Sequence, residues 1–211
     1  MAGQHVICDT PTGWDVRSVV ETGSTNADLL AAADAGTAGH LTALRADHET
    51  AGRGRLDRRW SAPAGSNLLV SLLFVDVPPD PTALTHLVGL ATVDAIARWA
   101  STPDGLAGGM GDHHLGPKRL GLKWPNDVLL DGRKLAGVLA QRSASTGAVV
   151  VGLGLNVGWA PSDAASLAGS LGLDVDPADL LRICLLYTSD AADDTQFVVL
   201  GVGGGGVLMG G

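Results

Sequence analysis

Four of the basic residues of this chain fall within one short run, Gly52-Arg53-Gly54-Arg55-Leu56-Asp57-Arg58-Arg59-Trp60. The whole chain carries a net charge of −8, so this concentration of positive charge is local. Glycines alternate with the first two arginines, which lets backbone N–H groups and guanidinium groups approach one ligand together. Such a loop suits a phosphate or a carboxylate. An ordinary solvated basic loop is the alternative that this run alone leaves open.

Lysine is scarce, and its placement is informative. Of three lysines, two lie in short motifs, Lys123-Trp124-Pro125-Asn126-Asp127 and Gly132-Arg133-Lys134-Leu135-Ala136-Gly137. Lys134 follows an Asp-Gly turn, where a lysine is commonly just solvated. The Asp127 carboxylate is a candidate Mg²⁺ ligand, since Mg²⁺ takes the rest of its shell from waters and substrate phosphates. Ordinary turn chemistry is the alternative for Asn126 and Asp127.

Two further motifs flank these, Glu21-Thr22-Gly23-Ser24-Thr25-Asn26 and Gly152-Leu153-Gly154-Leu155-Asn156-Val157. Thr25-Asn26-Ala27-Asp28 matches a helix capping box. Gly152-Leu153-Gly154 predicts a strand with small residues that permit close packing. It is not a dinucleotide-binding fingerprint, because no third glycine or helix start follows. The adjacent His113 and His114 lack the spacing of a helical metal pair.

These motifs, in their order along the chain, resemble the catalytic domain of biotin–protein ligases (biotin–[acetyl-CoA-carboxylase] ligases) over about residues 14–182. The resemblance implies an ATP-dependent enzyme that forms biotinyl-5′-AMP from biotin and MgATP. It also implies transfer of biotin to a lysine of biotin carboxyl-carrier protein. A lipoate or octanoate transferase of the same superfamily and a non-catalytic biotin-binding protein are the alternatives.

The resemblance assigns site residues position by position. The catalytic set comprises Lys134, Arg55, Asp127 and Lys123, with Asp127 also as the Mg²⁺ ligand. The biotin-binding set comprises Ser24, Thr25, Asn26, Glu49, Gly52, Arg53, Gly137 and Leu139. The nucleotide-binding set comprises Arg53, Arg55, Arg58, Trp60, Asn126, Lys134 and Asn156. Glu49 is a departure, because the family usually has Gln there and a carboxylate cannot donate to the ureido carbonyl.

The elements that must position these residues follow from periodicity and turn signals. Helices are predicted over 24–35 and 82–100 and from 177 onward, since Asp176-Pro177 combines an N-cap with a first-turn proline. Strands are predicted over 40–46, 67–75, 127–130, 134–141 and 148–157, and 101–119 as an irregular loop. The fold class is α/β (α+β), a mixed, largely antiparallel sheet layered with helices. The resemblance implies a fold like class II aminoacyl-tRNA synthetases and biotin synthetase.

Composition adds expectations about organisation and location. Residues 1–182 are expected to be the catalytic domain. Residues 183–211, which contain no lysine or arginine and end in glycines, are expected to be a non-family tail, artefactual or disordered. About twenty residues precede Ser24, too few for a winged-helix domain, so no DNA binding is expected. No apolar run of about 20 residues or secretory signal is present, so the chain is expected in the cytoplasm, away from membranes.

Overall fold

A computed structural model describes residues 8–9, 13–101 and 119–193. Its strands are β1 (Cys8–Asp9), β2 (Asp15–Thr22), β3 (Thr42–Glu49), β4 (Leu68–Phe74), β5 (Leu120–Lys123), β6 (Asp127–Leu130), β7 (Arg133–Arg142) and β8 (Val149–Leu155). Its helices are α1 (Thr25–Asp34), α2 (Thr82–Ser101), α3 (Leu167–Leu171) and α4 (Pro177–Asp193). Within these described ranges, no helix is both long and apolar enough to cross a bilayer.

The described strands form one sheet in the order β1-β2-β3-β4-β8-β7-β6-β5. β2 and β3 pair in parallel, and the other neighbouring strands pair antiparallel. Helices α2 and α4 cover one face of this sheet and α1 covers the other. The predicted fold class, a mixed and largely antiparallel sheet layered with helices, is confirmed.

Strand β4 is buried along its whole length because it is covered on both faces. Side chains of a strand alternate between the faces. Leu68, Val70 and Leu72 join the core beneath α2 and α4, whereas Leu73 joins a smaller cluster beneath α1. Burial on both faces explains the nearly continuous apolar run from which this strand was predicted. It also leaves one hydroxyl, that of Ser71, fully buried beneath α1.

Several predicted local signals are confirmed. The turn between β6 and β7 places Asp131 at φ 50° and Gly132 at φ 78°, the pair of positive angles that a two-residue Asp-Gly hairpin requires. Gly36, at φ 68°, follows the end of α1. At the start of α4, the Ala178 N–H donates to the Asp176 carboxylate at 2.7 Å. The loop predicted over 101–119 lies mostly outside the described residues, as do His113 and His114.

Strands β1, β2 and β5 and helix α3 were not predicted, and the start of α1 differs from its prediction. The alternation of β2 is weak because several of its side chains are exposed or half-buried. The capping box at Thr25 is wrong, since Ser24 is the N-cap residue and makes no side-chain capping bond. The Thr25 N–H instead donates to Glu49 at 2.6 Å. This acceptor belongs to β3, which is distant in sequence, so a local four-residue pattern cannot reveal it.

Helix α4 runs through the predicted boundary at residue 182. Ile183, Cys184, Leu185 and Thr188 are buried, and α4 packs against α2. Burial raises the pKa of the Cys184 thiol to about 12, so this thiol is un-ionised at neutral pH. The division into a domain over 1–182 and a tail over 183–211 stays a prediction, because residues 194–211 lie outside the described part.

Candidate functional site

Two connected cavities lie where α1, the arginine loop (residues 52–60) and strands β6, β7 and β8 meet. The inner cavity has a volume of about 50 Å³. It is lined by Ser24, Thr25, Asn26, Glu49, Arg53, Gly54, Arg55, Trp60, Leu69, Val70, Asn126, Lys134, Gly137, Val138, Leu139, Gly152, Leu153 and Gly154. Every residue predicted to bind biotin except Gly52 is therefore brought to one cavity, although α1 and β7 are far apart in sequence.

The N-terminus of α1 is held by Glu49 at the end of β3. The backbone N–H and the hydroxyl of Thr25 both lie 2.6 Å from Glu49 Oε1 and donate to it. Thr25 Oγ1 also lies 2.7 Å from Ser71 Oγ. Gly52 permits this approach, because a Cβ at that position would lie 2.7 Å from Glu49 Oε2. Gly52 therefore acts on the cavity through Glu49.

Asn26 is held by three hydrogen bonds to two strands, β7 and β4. Its amide nitrogen donates to the Leu139 carbonyl at 3.1 Å and to Gln141 Oε1 at 2.9 Å. Its oxygen accepts from Ser71 at 2.5 Å. A Cβ at residue 152 would collide with the Asn26 amide, so Gly152 is required for this side chain to reach its partners.

Two glycines that lie side by side in adjacent strands make room for Trp60 on one face of the sheet. Gly137 in β7 and Gly154 in β8 are register partners. A Cβ on Gly154 would lie 2.5 Å from Trp60 Cε2, and a Cβ on Gly137 would lie 3.2 Å from Trp60 Cζ3. The indole therefore packs against bare backbone, and it forms a wall of both cavities. The contacts of the Trp60 ring are therefore made at the site.

Lys134 and Asp127 form an ion pair at the junction of the two cavities. Lys134 Nζ lies 2.7 Å from Asp127 Oδ1 and 5.6 Å from the centroid of the Trp60 ring. Asp127 Oδ1 is buried, and its contact with the ammonium lacks hydrogen-bond geometry, so this oxygen has no hydrogen-bond donor. The hairpin β6–β7 positions the pair, because the turn at Asp131-Gly132 folds the two strands together.

The outer cleft is larger, with a volume of about 430 Å³. It is lined by Gly54, Arg55, Leu56, Arg58, Arg59, Trp60, Ser61, Asn126, Asp127, Lys134, Asn156, Pro161, Asp163 and Ala164. Arg55 donates across the cleft to Asn126 Oδ1 at 3.2 Å. The tip of the arginine loop holds Leu56 and Asp57 at φ 56° and 57°, which is the left-handed region. Positive charge from three arginines and one lysine thus surrounds a cleft of ligand size.

Two predicted residues occupy different surroundings. Lys123 is exposed and lines a separate groove beside Trp124, in neither the inner cavity nor the outer cleft. Asn156 borders the outer cleft, but its amide is engaged within the protein. Its nitrogen donates to the Ala165 carbonyl at 3.0 Å, and its oxygen accepts from Asn67 at 3.3 Å. In this conformation the Asn156 side chain shapes the wall of the cleft.

The site contains residues that sequence reasoning missed. Ser71 and Gln141, which were not predicted, hold Asn26. Gly152 and Gly154, which were predicted to permit close packing, make room for Asn26 and Trp60. A signal for Ser71 was available, since it is a single polar residue within an otherwise apolar strand. Arg133 was also missed; it donates to the Ser162 and Ala164 carbonyls and so ties down the loop that closes the outer cleft.

In the described part of the chain, no group of three or more His, Cys, Asp or Glu side chains is arranged to hold a metal ion. Two carboxyl groups outside the cavities have lowered pKa values. Hydrogen bonds from Ser143 and Ser145 lower the pKa of Asp34, and bonds from Thr82 lower the pKa of Asp80. These two groups therefore brace local turns.

Comparison with known proteins places these features in a family. The family model for the biotin/lipoate A/B protein ligases matches residues 37–156. The biotin–[acetyl-CoA-carboxylase] ligase of Mycobacterium tuberculosis is 43% identical over 177 residues, covering 82% of this chain and 61% of that protein. The ligase of the same name from Paracoccus denitrificans is 38% identical over 178 residues, covering 78% and 68%. This chain spans less than two thirds of the length of the M. tuberculosis relative.

A solved structure shares both the fold and this sequence similarity. The biotin protein ligase from Aquifex aeolicus in complex with biotin and ATP matches with a TM-score of 0.68 and 29% identity. The match covers 84% of this chain and 70% of that one.

Proposed function

This chain belongs to the biotin/lipoate A/B protein ligase family, and we propose that it is an ATP-dependent biotin–protein ligase. In the proposed reaction, biotin and ATP give biotinyl-5′-AMP and pyrophosphate. The ε-amine of a lysine on a biotin carboxyl-carrier protein then takes the biotinyl group and releases AMP. The proposal includes a cytoplasmic location, where reduced thiols and the carrier are expected.

The arrangement of the two cavities carries the proposal. Lys134, Arg55 and Trp60 line both the inner cavity and the outer cleft, so a molecule in one touches the same groups as a molecule in the other. The inner cavity holds the hydrogen-bonding side chains at the start of α1, suited to the ureido ring. The outer cleft is lined by Arg55, Arg58 and Arg59, which suit phosphates.

The first step brings two anions together, a carboxylate and the α-phosphate. The carboxylate oxygen attacks phosphorus, and pyrophosphate leaves with the electrons of the broken P–O bond. Lys134 lines both cavities, and its ammonium, which is paired with Asp127 at 2.7 Å, lies at the junction where the two oxygens would meet. We assign it the stabilisation of negative charge that develops between them, an effect typically worth about 3 kcal/mol. Arg55 and Arg58 neutralise the remaining phosphate charge.

The residues present fit a bound Mg²⁺ through one protein carboxylate. Asp127 lines the cleft proposed for the phosphates, and its buried Oδ1 has the Lys134 ammonium 2.7 Å away, outside hydrogen-bond geometry, as its charged neighbour. Mg²⁺ commonly binds one or two carboxylates together with substrate phosphate oxygens and water. When bound there, the ion would neutralise phosphate charge, with Asp127 holding it.

Entry of biotin requires the arginine loop to move. A cavity of about 50 Å³ is far smaller than the roughly 300 Å³ at which ligand pockets begin. The space that a bicyclic ring needs is bounded by Trp60, which the loop carries. The loop is exposed and joined to the opposite wall by the Arg55–Asn126 bond. Opening of this loop admits the ring, and closing retains the reactive anhydride.

Biotin-dependent pyrophosphate release from ATP tests the proposal. We expect Lys134→Met to lower the rate of release about 100-fold or more, while Arg142→Met leaves it unchanged. Arg142 is a suitable control because it lies at the other end of β7 and donates to the Gly147 carbonyl, away from both cavities. Lipoate and octanoate are each tested in place of biotin as the acid substrate. Release that depends on either acid and not on biotin would refute the assignment in favour of lipoate or octanoate transfer.

A further inference from the structure

Glu49 is one of two glutamates in the chain and the one that borders the inner cavity. Its Oε1 accepts both hydrogens that Thr25 offers, from the backbone and from the hydroxyl. Its Oε2 lies beside Gly52, which has no side chain to cover it. Among the described residues, no lysine, arginine or histidine nitrogen forms an ion pair with this carboxylate. An unpaired carboxylate therefore faces the site.

The side-chain hydrogens of Thr25, Asn26 and Ser71 are already used within the protein. The Leu139 carbonyl can only accept a hydrogen bond, so the Asn26 amide must direct its NH₂ group toward that carbonyl. The Asn26 oxygen is then directed toward Ser71. The single Ser71 hydrogen is then taken by Asn26. The single Thr25 hydroxyl hydrogen has two acceptors within 2.7 Å, Glu49 Oε1 and Ser71 Oγ. The side chains of Thr25, Ser71 and Asn26 therefore have no hydrogen to offer a ligand, and these three side chains can only accept further hydrogen bonds. The Ser24 hydroxyl, which lines the same cavity, keeps its hydrogen.

We propose that Glu49 makes the inner cavity selective for ring N–H donors, and that the cavity accepts a cyclic guanidinium in place of a cyclic urea. The inference rests on the proposed function in taking the ring ligand to be biotin. A urea ring offers two N–H donors and one carbonyl acceptor. A guanidinium replaces the carbonyl with a further donor and adds positive charge. A hydrogen bond between two ionised partners is roughly twice as strong as a neutral one, so Glu49 favours the guanidinium.

An amide at the same position would reverse this preference. In Glu49→Gln the oxygen can keep accepting from the Thr25 N–H, while the new NH₂ group replaces Oε2 beside Gly52. That group donates to a urea carbonyl and repels a guanidinium N–H. The cations that line the cavity, Arg53, Arg55 and Lys134, are the same in both proteins. A comparison of the two proteins therefore isolates the contribution of Glu49.

The test measures binding of biotin and of 2-iminobiotin, its cyclic guanidine analogue, to the full chain by titration calorimetry. We expect the wild type to bind the two ligands with Kd values within about tenfold of each other. In Glu49→Gln, the ratio of the 2-iminobiotin Kd to the biotin Kd should rise by about tenfold or more. Glu21→Gln is the matched control, because Glu21 pairs with His48 and does not line the cavity, and its ratio should equal that of the wild type.

Each outcome is decisive. An unchanged ratio in Glu49→Gln, with biotin binding retained, overturns the inference and leaves the proposed function standing. Should Glu49→Gln fail to fold, the wild type decides alone. Binding of 2-iminobiotin more than about 100-fold weaker than that of biotin would then overturn the inference. If the folded wild type binds neither ligand with or without ATP, both the inference and the proposed function are wrong.

Discussion

Replacement of Gly154 by alanine should damage the site through a single methyl group. The new Cβ would lie 2.5 Å from Trp60 Cε2 and 2.8 Å from Trp60 Cζ2 and Nε1. Carbon atoms in contact are ordinarily about 3.5–4.0 Å apart, so the indole has to shift by about 1 Å. The ring is rigid, and it also lies close to Gly137 in the neighbouring strand β7, where a Cβ would be 3.2 Å from Trp60 Cζ3. The displacement is therefore transmitted to the arginine loop.

Two magnitudes follow from this displacement. Overpacking costs about 1–3 kcal/mol of unfolding free energy, offset by about 0.5–1 kcal/mol because alanine suits a strand better than glycine. Misplacement of a site by about 1 Å can lower a rate by about 100-fold. We expect biotin-dependent pyrophosphate release to fall by that factor, with a net destabilisation of about 0.5–2 kcal/mol. Urea denaturation and the pyrophosphate assay measure the two effects separately.

Gly121→Ala is the matched control for this substitution. Gly121 also lies in a strand, but a Cβ there would meet nothing within 4 Å. We expect it to leave pyrophosphate release unchanged and to stabilise the protein by about 0.5 kcal/mol. Trp60→Leu should remove the stability cost of Gly154→Ala in the double variant. Equal effects of the two alanines, or no relief by Trp60→Leu, would refute the reasoning.

Three further predictions concern the loop, helix α4 and acid stability. Arg55→Ala should let biotinyl-AMP escape from the site, because the hydrogen bond from Arg55 to Asn126 that spans the cleft is lost. Streptavidin blots of added serum albumin should then show more biotin labelling than with the wild type. Adenylate formation without such a rise in labelling would contradict a shielding role for the loop. Leu185→Ala should lower the free energy of unfolding, measured by urea denaturation, by about 2–5 kcal/mol, because this side chain is fully buried. The control Leu186→Ala, at a side chain 47% exposed, should change that free energy by less than about 0.5 kcal/mol. Equal effects of the two substitutions would show that α4 does not pack as described. The Ser143 hydroxyl lowers the pKa of Asp34 below its ordinary 3.8, so the stability it contributes is complete above that value and is lost as the pH falls through the lowered pKa. The stability difference between wild type and Asp34→Ala should therefore shrink on acidification in that range, and a difference that stays constant would refute the linkage.

Local sequence signals determined much of the fold. The hairpin at Asp131-Gly132 was predictable because two consecutive positive φ angles suit those residue types. The start of α4 was predictable because Asp176 supplies an acceptor to the adjacent backbone. Strand β4 was predictable because burial on both faces excludes most polar residues from it. In each case the cause lies within a few residues of its effect.

The partners of the site residues were decided by the tertiary structure alone. Asn26 meets Gln141, 115 residues away in sequence, and Arg55 meets Asn126, 71 residues away. These contacts depend on the sheet order and on the register of β7 with β8, since a slip of one residue would turn every side chain to the other face. Sequence motifs identified the chemical groups of this site, including the basic loop and the scarce lysines. Which hydrogens those groups have left to offer a ligand depends on neighbours that only the folded chain brings together.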